Sequence, residues 1–180
     1  MKKDLLALCI VVFVLVFVFS GTKIQSVDEY YLTHIDDIKE DSKTVFLTIR
    51  CDTILENWDS LDPSLKQEKY VPPNGIILNR TEYVLRDGDT VYDILERAIR
   101  YNKIQMECAY SVNYSSVYVQ GINHLYEFSC GELSGWMYTV NGAFINYGCS
   151  KYVLSDGDEI VWCYTCDLGR DVGCDWRWER

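Results

Sequence analysis

The sequence is poor in the residues that most site chemistry requires. Its 180 residues hold two histidines and three prolines, and 17 Lys and Arg stand against 27 Asp and Glu. A formal net charge of −10 and a pI near 4.6, with no cluster of bases, leave no phosphate-neutralising face and exclude nucleic acid as a partner. No phosphate loop, paired-acid motif or metalloprotease signature occurs. A Ser or Cys nucleophile needs a histidine within reach. His34 falls in an acidic stretch, and His124 reads as a loop residue after a strand, so the chain is expected not to be an enzyme. Coiled-coil and collagen periods are absent, and a 48% apolar fraction excludes disorder over most of the chain.

What is abundant points outside the cytoplasm. Lys2 and Lys3 precede an unbroken apolar run of 15 residues, Leu5 to Phe19, followed by Ser20 and Gly21. That is a charged n-region, a long h-region and a small-residue exit. The run is short for a membrane span of roughly 20 residues. Residues 1–20 therefore read as a signal peptide or an uncleaved membrane anchor, and either makes the remainder extracytoplasmic, secreted or held at the cell surface. Residues 21–43 form an acidic spacer. Membrane contact is expected only through the N-terminal segment, if uncleaved. Thiols outside the cell tend to pair. Of eight cysteines, Cys9 lies in the leader. The seven that remain are an odd number, so one is unpaired or joined to another chain.

Val45, Leu47 and Ile49 alternate with polar or outward residues up to Cys51, predicting a first strand. Residues 52–79 show no clear period and carry turn residues, predicting a long connection and a second strand near Tyr83 to Leu85. Val91, Ile94, Leu95, Ala98 and Ile99 fall on one face of a helix, which Asp89 or Thr90 can cap. Strands follow near Ile104 to Tyr110, Ser116 to Gln120, Trp136 to Val140 and Glu159 to Tyr164, with Asn141-Gly142 marking a hairpin turn. The order predicts an α+β domain, a β-grasp-like mixed sheet with one main helix. Tyr83 to Asp89 and Tyr152 to Asp158 match at six of seven positions. Each Asp-Gly-Asp reads as turn chemistry rather than a calcium loop, which would need further acids and a Glu at the twelfth position.

Five segments carry a family resemblance: Thr48 to Leu55, Asp87 to Leu95, Cys130 to Gly142, Asn146 to Ser150 and Asp156 to Thr165. Together they resemble the transcobalamin-like C-terminal domain family, over about residues 44–170, with 171–180 left as a tail. The resemblance implies a β-grasp-like fold and a non-catalytic binding role. In the vitamin B12 carriers this domain closes over cobalamin held against a separate helical barrel, for which 180 residues leave no room. No cofactor is required, and cobalamin is the ligand that the resemblance implies.

The hairpin of Gly135 to Gly142 is the ligand candidate. Trp136 and Tyr138 share a strand face and can stack on a planar molecule, while Asn141, Asn146 and Tyr147 lie close by in sequence. The competing reading packs Trp136 and Tyr138 on the helix face of Val91, Leu95 and Ala98. The leading function is small-ligand binding of a corrinoid type. The alternative is a cell-surface module recognising protein or glycan. Cys163-Tyr-Thr-Cys166 has redox and metal spacing, but on a strand residues three apart point to opposite faces, and no second pair completes a zinc site. Structural disulfides are expected, preferably Cys130 with Cys149 and Cys51 with Cys166, leaving Cys108, Cys163 and Cys174 unassigned. No metal is expected.

Overall fold

A computed structural model describes residues 36–112 and 115–174. The expected leader or anchor, His34, most of the acidic spacer and residues 175–180 lie outside the described residues. The described residues from Ile38 onward fall in one unit, and it holds every described strand and helix.

The alternation at 45, 47 and 49 produces β1, Thr44–Arg50, with Val45, Leu47 and Ile49 fully buried. β1 pairs antiparallel with β2, Ile76–Val84. This second strand starts well before the expected Tyr83. It is an edge strand with a polar middle, Asn79 and Arg80 being exposed, so no alternation betrays it. The expected featureless connection also contains a short helix α1, Thr53–Glu56, and two 3-10 turns, Trp58–Ser60 and Pro63–Leu65.

The main helix α2 spans Val91–Asn102 and buries the five residues that its period singled out. Thr90 caps it. The Asp93 amide reaches the Thr90 hydroxyl at 3.3 Å, and the Asp93 carboxylate accepts from the Thr90 amide at 2.8 Å. Such a reciprocal cap contributes about 1 kcal/mol. The helix ends where Lys103 turns left-handed at φ 54° and the Ile104 amide returns to the Ile99 carbonyl.

The chain then builds a small antiparallel sheet, β3 (Met106–Ser111), β4 (Ser116–Ile122) and β5 (Leu125–Tyr126). It returns to the main sheet with β6 (Gly135–Val140), β7 (Ala143–Phe144) and β8 (Glu159–Thr165). The main sheet has the order β2-β1-β8-β6-β7, with β1 and β8 parallel at its centre. This is the β-grasp arrangement: a hairpin, a helix, and two later strands, the last of which runs beside the first.

Register decides what faces what. Leu47 pairs with Ile160 and Ile49 with Trp162 across the parallel pair, while Val140, Tyr138 and Trp136 pair with Ile160, Trp162 and Tyr164. These residues share one face, which α2 covers with Val91, Ile94, Leu95, Ala98 and Ile99. Each fully buried Ile or Leu stabilises by about 1.5–3 kcal/mol. A second cluster gathers Cys51, Ile54, Leu61, Val71, Leu125, Cys130 and Tyr164 under α1 and the 3-10 turns. Trp136 packs against both clusters.

The internal echo has a physical origin. In each copy Gly adopts φ 83°, a left-handed value that favours glycine, and the last Asp accepts from the amide three residues back, Arg86 or Ser155, at 2.8 Å. The copies also meet: Thr90 bridges Val153, and the Leu154 amide donates to the Asp89 carbonyl. Asp89 is engaged further by Arg97, whose Nη1 and Nη2 reach its two oxygens at 3.0 and 2.7 Å, with Nη2 also 2.7 Å from the Val84 carbonyl. The side chains are only 15% and 10% exposed. Removing one partner of such a pair strands a charge. Arg97→Ala is expected to cost about 3–5 kcal/mol, read as a lowered urea midpoint at an unchanged denaturant slope. A loss under about 1 kcal/mol, the value of an exposed pair, would contradict this account.

Candidate functional site

A groove of about 350 Å³ opens between β4, β6, β8 and the loop that follows β7. Its walls are mostly apolar: Val117 and Val119 from β4, Trp136 to Tyr138 from β6, Trp162 from β8, and Ile145 to Cys149 from the loop. The register set by β8 builds its floor. Tyr138 lies opposite Trp162, with ring centroids 5.3 Å apart.

The loop is fastened to β4. Gly148 sits so close to Ser116 that a Cβ there would lie 1.8 Å from the Ser116 hydroxyl. The Ser150 hydroxyl meets the Ser116 hydroxyl at 2.9 Å and accepts from the Val117 amide at 3.0 Å. The Tyr138 hydroxyl donates to the Tyr147 carbonyl at 2.7 Å, and the Tyr147 ring stacks on Tyr152 at 5.8 Å. Tyr147 remains 54% exposed at the rim.

Four of the five ligand candidates thus line one groove: Trp136, Tyr138, Asn146 and Tyr147. Asn141 does not. It occupies the β6–β7 turn at φ 52°, where its amide donates to Asp158 at 2.8 Å and its carbonyl accepts from the Glu159 amide at 2.9 Å. Packing and lining are not alternatives here, since Tyr138 belongs to the helix-covered core and also lines the groove. Trp136 donates its indole N–H to the Leu125 carbonyl at 2.7 Å, and its ring meets Tyr164 edge-on at 5.2 Å.

With these polar tips engaged, the donor that stands out belongs to Trp162, which the sequence reading passed over. Trp162 is 3% exposed, and its Nε1 is buried with no protein acceptor. A buried unpaired donor costs about 1–3 kcal/mol. The signal was present in the alternation Ile160, Trp162, Tyr164, which places Trp162 on the face shared with Trp136 and Tyr138.

The cysteines fall differently from the expected pairs. All seven described thiols are free. Cys149 belongs to the helix-side cluster and Cys130 to the other, so these two are not neighbours. Cys166 is seated with Cys130 on the 53–57 segment and is not paired with Cys51. The cause is the segment after β5, which folds over α1: Cys130 Sγ lies 3.5 Å from the Asn57 carbonyl, and Cys166 Sγ lies 3.8 Å from the Thr53 hydroxyl. His124 stands edge-on to Tyr70 at 5.1 Å. Among the described residues no group of three or more His, Cys, Asp or Glu could hold a metal ion.

A family described as a domain of unknown function, DUF4430, matches residues 88–166, a stretch that contains every groove residue. No curated protein matches the chain. Two solved structures are similar in fold. One is a Ruminococcus gnavus ATCC 29149 protein, provisionally described as metal binding, at 14% identity over 68% of this chain and 96% of that one, with a TM-score of 0.42. The other is haptocorrin in complex with Cbi, at 15% identity over 73% of this chain and a TM-score of 0.46. The chain spans 27% of haptocorrin's length.

Two outcomes test this geometry. Gly148→Ala is expected to destabilise by about 1–3 kcal/mol, because Ser116 is itself buried and must move; a neutral effect in thermal melting would mean that the loop is not clamped. Burial pushes the Tyr138 and Tyr164 phenols well above the ordinary tyrosine value. The unfolded chain ionises them from about pH 10. The folded chain still holds its protons there, so stability is expected to fall as pH rises past about 10. Urea midpoints measured from about pH 9 to about pH 11 should decline, and less steeply in Tyr138→Phe. A flat profile would contradict the burial assignment.

Proposed function

We propose that this chain is a non-catalytic binding module whose groove takes a small, largely apolar, planar ligand bearing a hydrogen-bond acceptor. The observation that carries the reading is the pairing of an apolar, aromatic-lined groove with the buried, partnerless indole N–H of Trp162. The Trp162 N–H is closed off in the unliganded chain, so a ligand oxygen would reach it only through a shift of the ring, while Trp136, Tyr138 and Tyr147 supply ring contacts. A volume of about 350 Å³ sits at the small end of ligand pockets, roughly 300–1,000 Å³. A whole corrinoid exceeds it, so on this reading a corrinoid would insert only one edge, and a smaller ring system would be enclosed more fully. The motifs that resemble transcobalamin-like domains make corrinoids the first molecules to try. The same reading puts the domain outside the cytoplasm, behind the leader or anchor of residues 1–20.

The test is a panel of corrinoids, other tetrapyrroles and smaller oxygen-bearing aromatics, followed by thermal shift and tryptophan fluorescence. A binder is expected to raise the melting temperature and quench the emission. Tyr147→Ala removes an exposed ring and leaves its carbonyl in place, so it should weaken binding roughly tenfold while lowering the unliganded melt only by the loss of its stack on Tyr152. Trp162→Phe should weaken it further for acceptor-bearing ligands than for their acceptor-free analogues. If no member of the panel changes either signal, the binding reading fails.

A further inference from the structure

The seven described cysteines sort into three couples and one left over. Cys130 and Cys166 are both packed on the 53–57 segment, through the Asn57 carbonyl at 3.5 Å and the Thr53 hydroxyl at 3.8 Å. Cys163 and Cys174 flank Met137. The Cys163 thiol lies 3.7 Å from the Met137 carbonyl, and a Cβ on Gly169 would lie 2.8 Å from both the Cys174 Cβ and the Met137 sulfur. The Cys174 amide also donates to the Gly169 carbonyl at 2.8 Å, which holds this end of the chain against β8. Cys108 and Cys149 converge beside α2. The Tyr92 hydroxyl lies 3.6 Å from the Cys108 sulfur. Cys149 in turn contacts the Val117 carbonyl at 3.6 Å, on the strand paired with that of Cys108.

Cys51 is different. It is fully buried at the end of β1, in the second cluster with Ile54, Leu61 and Cys130. Burial pushes its thiol up to about 12, which keeps it neutral and unreactive.

We propose that the exported domain carries three disulfides, Cys108–Cys149, Cys130–Cys166 and Cys163–Cys174, and that Cys51 is the thiol left over from the odd count. Each bond forms when one thiol, as thiolate, attacks a disulfide-bearing oxidant. The resulting mixed disulfide is resolved by the second thiol. The pair loses two protons and two electrons, and the oxidant leaves as two thiols. Cys108 is the exposed member of its couple and is suited to the first attack there. The Cys108–Cys149 bond would fasten the small sheet to the rim of the groove, and Cys163–Cys174 would fasten the C-terminal turn to the main sheet. The inference does not depend on the groove binding any ligand.

The experiment folds the full chain with oxidised and reduced glutathione, blocks free thiols under denaturing conditions, and maps the product without reduction. Chymotryptic cleavage after Tyr164 separates Cys163 from Cys166. The expected result is those three cross-linked peptides, with Cys51 alkylated, and Cys9 too if the leader is present. Linkage of Cys130 to Cys149, of Cys51 to Cys166 or of Cys163 to Cys166, or fewer than three linkages in the folded product, overturns the scheme. Cys166→Ser should release one additional thiol that maps to Cys130. Should that variant not fold, Cys174→Ser should release Cys163 instead. Release of any other residue overturns the pairing.

Discussion

The parallel pairing of β1 with β8 is the constraint from which the rest of the domain follows. It joins the first strand to the last, 109 residues apart between Ile49's neighbour Arg50 and Glu159, and places both at the centre of the sheet. Parallel neighbours are usually buried on both faces. That explains why β8 reads as a near-continuous buried run from Trp162 to Thr165 rather than as an alternation. One face receives α2. On that same face Trp162 is carried between Ile49 and Tyr138, so the strand that closes the core also floors the groove. A one-residue slip would turn Trp162 and Tyr138 to the opposite face and dismantle both.

Two clusters share this sheet, and Trp136 is where they join. Its ring meets Tyr164 of one cluster, its indole N–H is fixed by Leu125, and its edge lines the groove. The Tyr164 hydroxyl in turn donates to the Tyr126 carbonyl at 2.6 Å and meets the Ser134 hydroxyl at 3.0 Å. A buried polar network of this kind, with its members satisfied, gives a core one arrangement rather than several. It also holds the β5–β6 segment in place, and with it Cys130 against Cys166.

Much of this was legible because it is periodic. The alternation in β1, the five-residue stripe of α2 and the Asn141-Gly142 turn each carry a local signal, and each became the element expected of it. β2 did not, because an edge strand has a polar middle and needs no alternation. Asn141 lies outside the groove although its residue type suited a ligand contact, because turn chemistry and ligand chemistry use the same side chain. Here the amide closes the turn onto Asp158. The cysteine neighbours were illegible for a deeper reason. Cys130 and Cys166 meet only because the segment after β5 crosses α1, and no local pattern encodes that crossing. The Asp-Gly-Asp echo was visible, but that the two copies bridge each other at Thr90 and Val153 was not.

Trp162 is the position where local consistency breaks. The aromatic donors beside it on the same face have acceptors: Trp136 has Leu125, Tyr138 has Tyr147, and Tyr164 has Tyr126. At Trp162 a phenylalanine would fill most of the same space and bury no unpaired N–H, avoiding a cost of about 1–3 kcal/mol. A core selected for packing alone has little reason to keep the indole. Departures from local optimality of this kind concentrate where a protein does something besides fold. The departure lies on the wall of the groove and in its most buried strand, rather than on the exposed hairpin tip at Asn141. Under the proposed binding role, an acceptor that reached this N–H would lie toward β8, and the apolar body toward Tyr147 and the rim.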